Sequence, residues 1–130
     1  MANAREIENY FDKMGVPYEE IAEQTWMIHD EFEKIDNIVV SLNGPVVLFH
    51  LRLMDVTAQM PKEKLYEHLL TLNTTAMLHG AFGLENGKSV VVTDTLQSQN
   101  LDFNEFQASV DSLQLCIREY YQTLSSYLTN

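Results

Sequence analysis

The sequence predicts an α+β fold. It comprises one antiparallel sheet of about five strands with three helices, in the order α-β-β-β-α-β-β-α. Three observations carry this. Windows at residues 4–14 and 103–128 repeat apolar side chains every three or four positions. Asn43-Gly44 and Asn86-Gly87 each sit between β-branched apolar runs, the strongest short hairpin signal. Apolar residues make up 45% of 130 residues with no linker-like tract between them, so one core and one domain spanning 1–130 are expected.

The first helix covers 4–14. Ile7, Tyr10, Phe11 and Met14 share a stripe, Asn3 and Glu6 have the spacing of a capping pair, and Gly15 with Pro17 ends the run. Residues 18–23 read as extended or irregular. A first strand follows at 25–29, around Trp26, and the charged stretch 30–36 reads as a loop or wide turn. The strands 38–42 and 46–54 flank Asn43-Gly44, which suits a type I′ turn. In the second of them Val47, Phe49, Leu51 and Leu53 line one face, and Val46, Leu48, His50 and Arg52 the other.

Pro61 opens a helix over 62–75. Leu65, Leu69, Leu72 and Ala76 form its stripe, and Tyr66 and Leu70 widen it. Strands at 78–84 and 89–95 flank the second Asn-Gly turn. Gly80 and Gly83 inside a strand signal a bulge or a close backbone approach. Asp102 and Glu105 then cap a long amphipathic helix over 103–128, with Phe103, Phe106, Val110, Leu113, Ile117, Tyr120, Leu124 and Tyr127 on its main stripe.

A net charge of −11 repels phosphate backbones and anionic lipid, so neither nucleic acid nor a membrane surface is an expected partner. The charge suits basic or polar-cationic partners, or simply keeps the protein soluble, which is the favoured reading for charge alone. The one cysteine, Cys116, cannot form an intramolecular disulfide or a cysteine metal framework, which suits a cytoplasmic setting. Residues 1–14 lack the apolar segment of a signal peptide, and the run 46–49 is far too short to span a bilayer.

No cofactor or metal is expected. No histidine pair has the helical spacing of a zinc motif, although His29 and His50 lie on strands that a sheet can bring together. Gly80-Ala81-Phe82-Gly83 has no helix behind it to hold phosphate. Cys116, in mid-helix beside the apolar stripe, reads as a buried inert thiol. The carboxylates of the first quarter read as a solvated face. The chain is therefore read as non-enzymatic, with an unrecognised enzyme as the less favoured alternative.

The positive clue is apolar surplus. Val46 and Leu48 point away from the Phe49 face, Leu115 and Tyr121 lie off the main stripe of the last helix, and tyrosines stand at 66, 120, 121 and 127. Such a surplus on a strongly charged chain marks a protein interface or groove. Val46, Leu48 and His50 are expected to border a groove for a partner protein, and Tyr66, Leu70 and Asn73 to face a self-association surface. An exposed sheet edge is suited to accept an extended segment of that partner.

One stretch carries a resemblance. Leu65-Tyr66-Glu67-His68-Leu69-Leu70-Thr71-Leu72-Asn73, then His79-Gly80-Ala81-Phe82-Gly83-Leu84, Asn86-Gly87 and Val90-Val91-Val92, resembles the YbjN-like and Tir-chaperone-like group with the type III secretion chaperone-like fold. The resemblance implies an antiparallel α+β domain, often a homodimer, that is small, acidic and non-enzymatic. The secretion branch holds an extended effector segment over apolar patches; the YbjN-like branch implies a regulatory or adaptor module binding a folded partner. The motif does not choose between them.

Overall fold

The computed structural model describes residues 2–29, 38–77 and 79–129. The loop read over 30–36 and the first residue of the strand read over 78–84 lie outside them. Helix α1 (Ala4–Met14) begins where the capping pair places it: Asn3 accepts the Glu6 N–H at 3.0 Å. It ends at Gly15, whose φ of 70° is open to glycine at little cost.

Six strands follow, not five: β1 (Tyr18–Ala22), β2 (Thr25–Ile28), β3 (Ile38–Asn43), β4 (Val46–Asp55), and, after helix α2 (Lys62–Thr75), β5 (Ala81–Glu85) and β6 (Ser89–Gln97). Their order in the sheet is β1-β2-β3-β4-β6-β5, and every neighbouring pair is antiparallel. The additional strand is β1. Among the described residues it forms an edge, pairing with β2 alone, and four of its five residues are exposed. With only Tyr18 half-buried, against Phe11, it carries no alternation of apolar and polar residues to read.

Both hairpins stand, but the first turn is shifted. Asn43 pairs with Val46, which leaves Gly44 and Pro45 as the two loop residues. Gly44 has φ 56°, whereas the ring of Pro45 holds φ near about −65°. Two consecutive positive φ values are thus impossible there, and the type I′ expectation fails. At Asn86-Gly87 both residues do take positive φ, 55° and 66°. Strand β5 starts only after Gly80, where an added Cβ would lie 2.8 Å from the Thr93 carbonyl oxygen. That is the close backbone approach the glycines signalled.

Helix α3 (Phe103–Ser125) carries the expected Asp102–Glu105 capping box. It stops short of 128, and a 3-10 turn (Ser126–Thr129) completes the segment. The Ser125 and Ser126 hydroxyls donate back to the Gln122 and Thr123 carbonyls at 3.1 and 2.6 Å, competing with the helical ladder at its end.

One face of the sheet holds the core. Val40, Val47, Phe49, Leu51 and Val92 are fully buried against Ile7 and Phe11 of α1 and Phe106, Val110 and Ile117 of α3. Phe106 is the hub, with ring centroids 5.2 Å from Tyr10, 5.5 Å from Phe11 and 5.4 Å from Phe49. Asp94, paired with Phe49 and therefore on this same face, is satisfied by the buried Ser109 hydroxyl at 2.8 Å. Trp26 is also sealed in, its indole N–H donating to Glu8 at 3.0 Å. The opposite face displays Val39, Ser41, Leu48 and His50 half-buried and Val46 and Arg52 exposed, as the alternation of β4 predicts.

Candidate functional site

Helix α2 lies along the edge strand β5. Leu65 and Leu69 are its buried residues, so its anchoring is slight. Residues 66, 69, 70 and 73 follow helical spacing and turn one flank toward β5. Between them runs an apolar groove of about 300 Å³, lined by Tyr66, Leu69, Leu70, Phe82, Gly83 and Leu84. Leu70 is 67% exposed and Leu84 42%. Two large aliphatic side chains thus face water beside one another, with the half-buried Tyr66 ring next to them.

Asn73 is bound to the backbone of Phe82, which lines the groove. Its carboxamide nitrogen donates to the Phe82 carbonyl at 3.1 Å, and its oxygen accepts the Phe82 N–H at 2.7 Å. The side chain thus does for the edge strand what another strand would do, and it withdraws Phe82 from further pairing. Tyr66 and Leu70 face the groove; the Asn73 amide is engaged with the strand. We expect Asn73→Leu to cost about 1–3 kcal/mol, because two backbone groups lose their partners at once. Thermal unfolding reads the loss, and amide exchange at Phe82 should rise with it. Unchanged Phe82 protection would refute the account.

Val46, Leu48 and His50 stand on the open face of β4. His50 reaches beyond them: its Nε2 lies 2.8 Å from a Glu85 carboxylate oxygen. Glu85 directly follows Leu84, so the pair links the open face to the rim of the α2–β5 groove. Both side chains are partly exposed, 29% and 48%, and such a pair contributes about 0.2–1 kcal/mol. His50 and Glu85 lie 35 positions apart and carry no shared motif, so sequence spacing offers no signal for their meeting.

The far edge of the sheet is β1. Its ladder slips between Glu20 and Ala22, where Ile21 stands 46% exposed. Glu19, Glu20 and Glu23 surround it on the chain, consistent with an edge that favours cationic neighbours.

Cys116 is 3% exposed, and burial pushes its thiol from an ordinary 9.0 up to about 12, with the Glu119 charge a lesser cause. It is no nucleophile at neutral pH. The Tyr10, Tyr18 and Tyr120 hydroxyls are also raised, chiefly by burial. A raised folded pKa means the fold keeps protons that the unfolded chain releases. For Cys116 this stabilisation is complete below about pH 9 and is lost as pH climbs toward about 12. For Cys116 the loss is at most about 4 kcal/mol, at about 1.4 kcal/mol per pH unit. Melting temperature should therefore fall across that window, and Cys116→Ala should flatten the slope. An equal slope in the variant would remove Cys116 from the explanation.

Among the described residues no group of three metal-ligating side chains converges, and no helix is long and apolar enough to cross a membrane. The CesT_Tir_1 family model matches residues 1–130 of the chain. No curated protein matches it. Solved structures do. A chain of the heterodimeric ExoU-SpcU complex from the type III secretion system of Pseudomonas aeruginosa superposes with a TM-score of 0.69 at 14% identity, covering 89% of this chain and 95% of that one. YbjN of E. coli gives 0.66 at 15% identity, over 91% and 90%. The structure of the Yersinia pestis type III secretion chaperone SycH with a stable fragment of YscM2 gives 0.64 at 17% identity, over 94% and 98%. At these identities the likeness establishes the fold.

Proposed function

The chain belongs to the CesT_Tir_1 family, a type III secretion chaperone family, and from that premise we propose that it binds an extended segment of a partner protein while paired with a second copy of itself. A protein-binding role of the secretion-chaperone kind follows from the family and is consistent with neighbours found in chaperone–effector complexes. The finer reading rests on one observation: the α2–β5 groove, where Leu70 and Leu84 stand exposed on a chain of net charge −11. An apolar strip on so charged a body is costly to leave wet, and a protein surface is what covers such strips. The groove suits self-association through Tyr66 and Leu70, with Asn73 fixing the helix that carries them. The outer edge of β1, which no described strand pairs, and the open face around Val46, Leu48 and His50 suit an extended segment. There, main-chain hydrogen bonds supply affinity and side-chain pockets supply selection. A basic segment is favoured by the charge of the chain. This reading assigns no catalytic step to the chain, and it is set in the cytoplasm.

Two measurements test it. Sedimentation across a concentration series should return a dimer. Binding to a partner co-purified from the native host should survive when the partner is reduced to its extended segment and vanish when that segment is deleted. The reverse pattern, with affinity kept by the folded part alone, would replace this reading with a YbjN-like adaptor that docks on a folded surface.

A further inference from the structure

Helix α2 has few supports of its own. Pro61 at its N-cap makes no side-chain hydrogen bond, and its last turn carries no basic residue. Ala76 ends it without the left-handed residue of a strong stop. Fourteen residues with these ends are marginal as an isolated helix, so tertiary contacts hold it. On one flank Asn73 ties it to β5. On the other, His68 meets the C-terminal turn: its Nδ1 lies 3.0 Å from the Tyr127 hydroxyl, and the two rings cross edge-on at 6.0 Å.

Tyr127 is well placed to act as a support. It packs against the core, and it follows α3, whose Ile117 and Leu124 are fully buried. His68 sits about half a turn around α2 from Tyr66 and Leu70, at about 100° per residue. The two ties therefore grip opposite flanks of the Leu65–Leu69 stripe, and the groove is on one of them.

We propose that the Tyr127–His68 contact is a latch through which the C-terminal turn holds α2 in order and thereby tunes self-association at the α2–β5 groove. Its second half rests on the reading of that groove as the surface between two copies. The test uses the full chain, with hydrogen exchange and sedimentation on wild type, Tyr127→Ala and Tyr127→Phe. In Tyr127→Ala the amides of α2 should exchange about tenfold faster while those of α1 and β4 keep their wild-type rates, as selective local opening requires. Dimer affinity should fall several-fold alongside. Tyr127→Phe, which keeps the ring and loses the hydrogen bond, should speed α2 exchange about threefold. It carries the test alone where the alanine variant does not fold.

Wild-type exchange in α2, or a rise spread equally over α1 and β4, overturns the latch. Faster α2 exchange with undiminished dimer affinity overturns the tuning. A wild-type chain that stays monomeric at every concentration overturns the homodimer and the tuning together, while α2 exchange still decides whether the latch exists.

Discussion

Phe106→Ala should be the most damaging single core change, with a loss of about 3–5 kcal/mol. Phe106 is completely buried, and its ring joins α3 to α1 through Tyr10 and Phe11 and to the sheet through Phe49. Removing it deletes the transfer free energy of a full aromatic side chain. It also opens a hole that three other rings, each fixed by its own backbone, cannot all move to fill. A domain holds only about 5–15 kcal/mol in total, so the variant should melt roughly 10–25 °C lower, with loss of the enclosed environment of Trp26 as a fluorescence reporter. Leu115→Ala in the same helix provides the contrast: Leu115 is 48% exposed, and its removal should fall within about 0.5 kcal/mol. A loss below about 1 kcal/mol for Phe106→Ala would mean that the hub assignment is mistaken.

What the sequence announced, and what it hid, follows from how local each cause is. The stripe of α3 is a local pattern: of its positions Phe106, Val110, Leu113, Ile117 and Leu124 are buried, Phe103, Tyr120 and Tyr127 are half-buried, and Ser109 and Cys116 are buried beside it. The caps at Asn3 and Asp102 are equally local, because a side chain and the backbone it bonds are three residues apart. Strand β1 is the reverse case. Tyr-Glu-Glu-Ile-Ala has no period because an edge strand with four of its five residues exposed imposes none; its pairing with β2 defines it. Gly44 shows a turn rule overruled by one neighbour, since Pro45 forbids the second positive φ that Asn-Gly normally supplies.

The candidate site divides the same way. The exposure of Leu70 is legible because it lies beside the helical stripe, where an apolar residue has no core to enter. Leu84 reads from the sequence as part of a strand, and its exposure follows from α2 flanking rather than covering the β5 edge. Asn73 shares the helix flank of Tyr66 and Leu70, and so reads as surface. Its partner is a backbone group nine residues on, which leaves no mark in any side-chain pattern. The Tyr127–His68 contact spans 59 positions and was equally hidden.

In the self-association reading, Leu70→Glu should weaken the dimer by at least about a hundredfold while leaving the protomer intact. Leu70 contributes almost nothing to its own fold, being 67% exposed, so the variant's melting behaviour as a monomer should stay within about 0.5 kcal/mol of wild type. In the self-association reading the same side chain is central. A two-fold interface presents the identical patch from both copies, so one substitution places two carboxylates in the joined groove. Each is stripped of water against Tyr66 and Leu84, with Glu67 and Glu85 adding like charge nearby on the chain. Two buried, unpaired charges cost several kcal/mol, which corresponds to a dimer weakened by at least about a hundredfold. Leu70→Ala removes apolar contact without adding charge and should weaken it only about tenfold. Sedimentation over a concentration series separates the three proteins by midpoint. A Leu70→Glu profile that overlays wild type would take Leu70 out of the interface, and with it the one exposed strip on which pairing through α2 depends.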